Sequence, residues 1–358
     1  MKALLSIYLV SFFFIGGAIG QSLQKEPQRA TVQNESTEKY EVKYETLLKK
    51  LEALEQSIAI LRSEVIRLED LLSHMQTRAS LTTYKLPKEI SLCGEGFPSG
   101  DKIVWENLDR EFLLALSNEA QVLLWMKRAR RYFPLIEEKL KEMRLPDDLK
   151  YVAIIESSLR PEAVSSSGAA GIWQFIPSTG EKYGMRKNRN IDERFDFIKA
   201  TEGALSYLKT LYEEFRRWTL TMAAYNAGEN RVRKEIELQK TRNYFYLDLP
   251  LETERYVYKI AVAKIILSDP GRFGCYLEEK ELYHPLQLER VQIELPRPLP
   301  IIEVAGATGF SYKEIREMNP HLFEEAVPPG IHFINLPSGT TEKFWSFFLT
   351  WKKGAEGK

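Results

Sequence analysis

Residues 149–175 read LKYVAIIESSLRPEAVSSSGAAGIWQF, and this stretch decides the fold. Leu149, Val152, Ala153 and Glu156 fall at i, i+3, i+4 and i+7 and so share one helical face. Pro146, Asp147 and Asp148 precede them, a proline and two acids where a helix start favours both. Glu156 thus extends an apolar stripe at the end of a helix and faces a Ser/Gly-rich stretch. Loss of hydration disfavours the ionised carboxyl, so it stays protonated near neutral pH, as a general acid requires. The alternative is a buried glutamate paired with Arg160, which fits this segment equally well.

Outward from this helix the pattern stays helical from residue 104 to about 283. Trp105 to Phe133 carries apolar residues at helical spacing, and Pro134 to Met143 reads as a further short helix. More helices are expected near 178–184, 198–216, 218–226, 229–238 and 252–268, with Asp269-Pro270-Gly271 stopping the last. Ser178 with Glu181 reads as a capping box, and Asp192 and Asp196 as surface or capping groups. Residues 77–103, with Pro87, Gly94, Gly96, Pro98 and Gly100, read as a linker. Residues 285–347 change character. Val291 to Leu295 alternates like a strand, Ser311 to Met318 suits a short helix, and Ile331 to Leu336 suits a closing strand. A small α+β module is expected there, then a loose tail at 348–358.

The N-terminal part is of another kind. Lys2 and the apolar run Ala3 to Ile19, ending in Ala18-Ile19-Gly20, read as a signal peptide over residues 1–20, cleaved before Gln21. The run is long enough that an uncleaved inner-membrane anchor is the alternative. Residues 21–39 are polar and read as a linker. From Tyr40 through Tyr44, Leu47, Leu51, Leu54, Ile58, Leu61, Val65, Leu68 and Leu72 to Met75, spacings of four and three alternate without a break. That is a coiled-coil heptad over residues 40–76. β-Branched residues at a and leucine at d favour a parallel homodimer; a single amphipathic helix packed on its own domain is the other reading.

Composition narrows the function classes. The 358 residues carry 50 basic and 50 acidic side chains, so charge argues for no nucleic-acid partner. The four histidines show no metal-ligand spacing and neither cysteine lies in a CxxC, so neither a metal site nor a cofactor is expected. Export would place Cys93 and Cys275, near the two ends of the helical region, in an oxidising compartment, where they are expected to pair.

Glu156-Ser157-Ser158-Leu159-Arg160-Pro161, then Gly168-Ala169-Ala170-Gly171-Ile172-Trp173-Gln174, with Ala224-Tyr225-Asn226-Ala227-Gly228 downstream, resembles the lytic transglycosylases of the soluble-transglycosylase type. Arg130-Arg131-Tyr132-Phe133-Pro134 and Phe175-Ile176-Pro177-Ser178-Thr179-Gly180 place it nearest a membrane-bound branch. The resemblance spans roughly residues 100–345. It implies a mainly α chain: a lysozyme-like catalytic domain over 104–283, preceded by the coiled coil and followed by a degenerate LysM-like module. It also implies a periplasmic enzyme of a Gram-negative-type envelope acting on peptidoglycan. By position, Glu156 matches the single acid/base. Ser165, Gln174, Tyr225 and Asn226 match residues that hold or surround the sugar; Trp173 and Ser157 join them as expected substrate contacts. Gly168 and Gly171 are expected to let backbone approach the sugar. The family's lipid-attachment cysteine is absent, and Asn230 stands where glycine is frequent.

No second carboxylate stands out beside Glu156, whereas ordinary glycosidases use two. The resemblance implies non-hydrolytic cleavage of the MurNAc–GlcNAc β-1,4 bond to 1,6-anhydroMurNAc ends, an outcome that a lone carboxyl permits. A hydrolytic muramidase of goose-lysozyme type and a non-catalytic coiled-coil scaffold that binds peptidoglycan are the alternatives.

Overall fold

Heptad spacing becomes a 43-residue helix, α1 (Asn34–Gln76), whose stripe from Leu47 through Ile58 to Leu68 is exposed along its length. A computed structural model describes residues 34–76, 84–98 and 100–356. The chain divides into two units after Ser73, and α1 makes up the described part of the first. It starts six residues before the expected 40. The signal-peptide reading and most of the polar linker lie outside the described residues.

The second unit begins with a surprise at residues 84–98. Instead of a linker, this segment packs into the main core through Leu86, Ile90, Leu92 and Phe97. It forms a tight hairpin of β1 (Ser91–Leu92) and β2 (Glu95–Gly96), turning at Cys93 and Gly94 with positive φ at both. Strands this short show no alternation for sequence reading to find.

Seven helices with one core follow: α2 (Lys102–Ser117), α3 (Glu119–Glu142), α4 (Lys150–Ser157), the one-turn-plus α5 (Pro177–Lys182), α6 (Phe197–Phe215), α7 (Trp218–Ala227) and α8 (Glu229–Gln239). An eighth, α9 (Leu251–Ser268), runs through their middle against α2, α4 and α7. Val257, Ile260, Ala261, Val262 and Ile266 are buried around much of its circumference, and Glu252, Arg255 and Lys259 leave a polar stripe on its N-terminal half. Pro134 does not start a helix; it sits inside α3. Trp125, Ala129, Ile136 and Leu140 bury one continuous face across it, which offsets the hydrogen bond that proline removes. The Ser178–Glu181 capping box does not form, because the helix starts at Pro177 with Ile176 in the cap position.

The C-terminal module pairs β3 (Leu288–Leu295) with β6 (Gly330–Pro337) antiparallel, Leu288 opposite Pro337 and Leu295 opposite Gly330. A short β4 (Leu299–Pro300) pairs with β5 (Ala326–Val327), and α10 (Ile301–Thr308) and α11 (Tyr312–Met318) lie between. Ser311 and Glu314 cap α11 reciprocally. The expected loose tail is instead helix α12 (Thr341–Glu356), held because Phe344, Phe348 and Trp351 complete a second core. This module is docked on the helical body. Ile191 bridges to Leu322, Phe323 N–H donates to the Asn190 carbonyl at 2.9 Å, and Arg290 pairs with Asp196 at 3.2 Å.

Candidate active site

Helix α4 ends where its chemistry begins. Ser158 and Leu159 both adopt left-handed backbone, with φ of 55° and 58°. Their N–H groups close on the Ile154 and Ala153 carbonyls, and Leu159 is fully buried. Two such residues in a row are costly without glycine and persist only because the surrounding core fixes them. The turn lifts the chain off the helix and leaves Glu156 on the last turn, at the floor of a cleft of about 490 Å³. Ser165, Gln174, Phe175, Tyr225, Asn226 and Tyr256 line the same cleft.

Burial raises the Glu156 carboxyl to about 7, helped by the Glu252 carboxylate, against the Tyr256 hydrogen bond and the Lys259 ammonium. Tyr256 donates its hydroxyl to Glu156 Oε1. Burial and the carboxylate hold the Tyr256 hydroxyl well above the usual tyrosine range, so it stays a donor. Arg160 does not pair with Glu156; its Nε donates to the Ser157 carbonyl at 3.2 Å. The pairing alternative for Glu156 is thereby set aside.

Of the expected contacts, Ser165, Gln174, Tyr225 and Asn226 reach the cleft. Ser165 accepts from Ala169 N–H at 3.0 Å and meets Ser167 Oγ at 2.9 Å. Gln174 has left-handed backbone, φ 50°, and donates Nε2 to the Gly171 and Ala163 carbonyls. Tyr225 donates to the Trp173 carbonyl at 2.8 Å, and Asn226 accepts from Thr253 at 2.7 Å.

Two expected contacts are corrected. Trp173 is fully buried and donates Nε1 to Thr201 Oγ1 at 3.0 Å, so it anchors the loop to α6. Ser157 is buried and donates to the Ile172 carbonyl at 2.8 Å, tying α4 to the same loop. Both face inward because the loop runs antiparallel to itself, with Ala170 paired to Val164 and Phe175. Gly171 is corrected too. A Cβ there would lie 1.9 Å from the Arg194 carbonyl oxygen, so the close approach is to the protein's own backbone. Asp192 and Asp196 do cap, receiving Arg194 N–H and Lys199 N–H, but both are buried. Cys93 and Cys275 are free thiols and no bridge joins them. Cys93 is committed to the hairpin turn, and Cys275 Sγ contacts the Phe273 carbonyl of its own turn at 3.7 Å.

Sequence reading missed five titratable cleft residues: Tyr207, Glu229, Glu252, Tyr256 and Lys259. Glu252, Tyr256 and Lys259 lie at i, i+4 and i+7 of α9, a polar stripe on an otherwise apolar helix that was legible as a signal. The cleft thus holds carboxylates besides Glu156. Glu229, at the first turn of α8, accepts from Tyr207 at 2.9 Å. Backbone hydrogen bonding there lowers its carboxyl, so it stays ionised. Glu252 is exposed at the rim.

Residues 133–247 match the family model described as the transglycosylase SLT domain. Membrane-bound lytic murein transglycosylase D of Escherichia coli (strain K12) is 35% identical over 229 residues, covering 63% of this chain and 49% of that protein. The chain thus spans about half the length of the relatives it matches. The 70 kDa soluble lytic transglycosylase Slt70 of Escherichia coli is similar at 21% identity and a TM-score of 0.34, over 49% of this chain and 32% of that one.

Proposed function

We propose that this chain is a peptidoglycan lytic transglycosylase of lysozyme-like fold that cleaves the MurNAc–GlcNAc β-1,4 bond without water, with Glu156 as its single acid/base. One observation carries the reading. A carboxyl raised to about 7 by burial is held by the Tyr256 hydroxyl at the floor of a cleft lined by Ser165, Gln174, Tyr225 and Asn226. The matched transglycosylase domain supports the same substrate class.

Glu156 gives its proton to the bridging oxygen as the C1–O bond breaks, and GlcNAc leaves as the alcohol. The substrate's N-acetyl oxygen supports the positive charge at C1, and Ser165 on the cleft wall positions that group. The Glu156 carboxylate then takes the proton of the C6 hydroxyl of the same sugar. O6 bonds to C1, closing the 1,6-anhydro ring and returning Glu156 protonated. Atoms balance with no water consumed.

Hydrolysis by this fold requires a base for the attacking water. Glu252 is the candidate, since it lines the cleft without an ion pair among the described residues. Mass spectrometry of digested sacculi separates the two readings. Anhydro ends, one water lighter than reducing ends, are expected; reducing ends alone would mean hydrolysis, and intact sacculi would mean a binding protein.

The envelope location and the partner belong to the same proposal. The relative's name places that protein at a membrane; here the periplasm is inferred from residues 1–20, and no helix among the described residues is long and apolar enough to cross a membrane. The exposed stripe of α1 supports a homodimer through residues 40–76. The LysM-like module serves as a packed support, because its Leu322–Phe323 loop is taken up by Ile191 and Asn190.

A further inference from the structure

Three helices supply the reacting floor of the cleft: α4 carries Glu156, α7 carries Tyr225 and Asn226, and α9 carries Tyr256 and Lys259. One short hairpin touches α7, α9 and the turn that opens α4. Glu95 on β2 accepts from the Trp218 and Thr219 N–H groups at 2.6 and 3.2 Å, and from Thr219 Oγ1 at 3.1 Å. These are the first residues of α7, whose own cap residue Arg217 supplies no side-chain acceptor. Glu95, 123 residues away in sequence, therefore does the capping. At the turn, Cys93 N–H donates to Asp148 Oδ2 at 2.6 Å, just before α4. Lys264 of α9 donates to that same Asp148 oxygen at 2.8 Å and to the Ser91 carbonyl at 2.9 Å.

The spacing of these contacts is regular. Asp148 precedes Glu156 by eight residues, Trp218 precedes Tyr225 by seven, and Lys264 follows Tyr256 by eight. Each hold lies about two helical turns, roughly 11–12 Å, from the side chain it governs. We propose that the 91–96 hairpin is a clasp that sets the mutual register of the three catalytic helices, with Glu95 as a positioning residue for Tyr225 and Tyr256 around Glu156. Leu92, fully buried, and Phe97, packed edge-on against Phe245 with centroids 4.9 Å apart, fix the clasp in the core. The assignment of a positioning role rests on the transglycosylase reading; the geometry of the clasp does not.

The groups facing Glu156 are Tyr256, Lys259 and Glu252 from α9 and Tyr225 from α7. Losing the clasp lets α7 and α9 part and admits water. Burial, which raises Glu156, outweighs the Tyr256 bond that lowers it, so the Glu156 midpoint falls. The test is the titration of full-length protein with carboxyl-labelled glutamate, the Glu156 resonance being assigned by its absence in Glu156→Gln. Glu95→Ala is expected to lower the midpoint by about half a unit or more. Phe344→Leu, brought to the same unfolding temperature from the second core, is expected to leave it unmoved. Glu95→Gln keeps one acceptor and shifts it less, in the same direction; it serves where the alanine variant fails to fold. A midpoint equal to wild type in the folded Glu95 variant overturns the clasp. Because the titration needs no turnover, inactivity of the wild-type protein would sink the proposed function and leave this readout standing. With activity present, kcat should fall several-fold with KM within about twofold; a change in KM alone counts against positioning.

Discussion

Glu156 is poised between opposing influences, and the balance makes two predictions at the scale of single residues. Burial keeps it protonated near neutral pH, while Tyr256 favours the ionised form. Glu156→Gln preserves the shape and removes the transferable proton, so turnover should drop by about 10²-fold or more with glycan binding retained. Near-normal turnover would remove Glu156 from the mechanism. Because the acid form is the starting form, kcat/KM should decline as pH rises through about 7. Tyr256→Phe removes the bond that lowers the carboxyl, so the alkaline limb should move to higher pH. A limb that stays, or moves down, would mean that Tyr256 does not set the Glu156 acidity.

At the scale of elements, the side of the cleft that carries Ser165 and Gln174 is a loop rather than a helix or sheet, and a buried ion pair holds it. Arg194 is bidentate to Asp192, and its Nη1 donates to the Gly168 and Phe175 carbonyls at 2.8 and 2.7 Å. Both side chains are almost wholly buried. Arg194→Met leaves the buried Asp192 carboxylate without its ion pair and the Gly168 carbonyl without its donor, which should cost about 3–5 kcal/mol in urea unfolding. A loss below about 1 kcal/mol would show the loop to be held by its own backbone pairing instead. Ser165 and Gln174 were readable in the sequence because they follow Glu156 in one local motif. Ser157 and Trp173 were misread because side-chain direction there depends on the left-handed turn at Ser158 and Leu159 and on Thr201 across the core.

At the scale of the whole molecule, α1 presents a long apolar stripe to solvent in the single chain. Ile58→Asp with Leu61→Asp should convert a parallel dimer to a monomer while activity on short soluble glycans persists. Sedimentation velocity of the native protein at micromolar concentration decides it, and a native monomer would end the homodimer reading. Two joined catalytic units on a polymer would gain retention through effective concentration, so the variant should lose processing of intact sacculi before it loses turnover of short substrate.

The sequence by itself determined most helices between residues 146 and 268, the βααβ order of the C-terminal module and the place of Glu156 at a helix end. Each rests on local periodicity or capping chemistry within a few residues, as in Leu149 to Glu156 or Ser311 to Glu314. Only the tertiary structure decided what surrounds Glu156 and what supports it. Tyr256 comes from α9, where the polar stripe marks a face but not the helix that face meets. Glu95 and Asp148 satisfy backbone groups 123 and 55 residues away. Phe348 and Trp351 become a helix because a second core exists to receive them. Burial and long-range hydrogen bonding are properties of what packs together in space, and no window along the chain contains them.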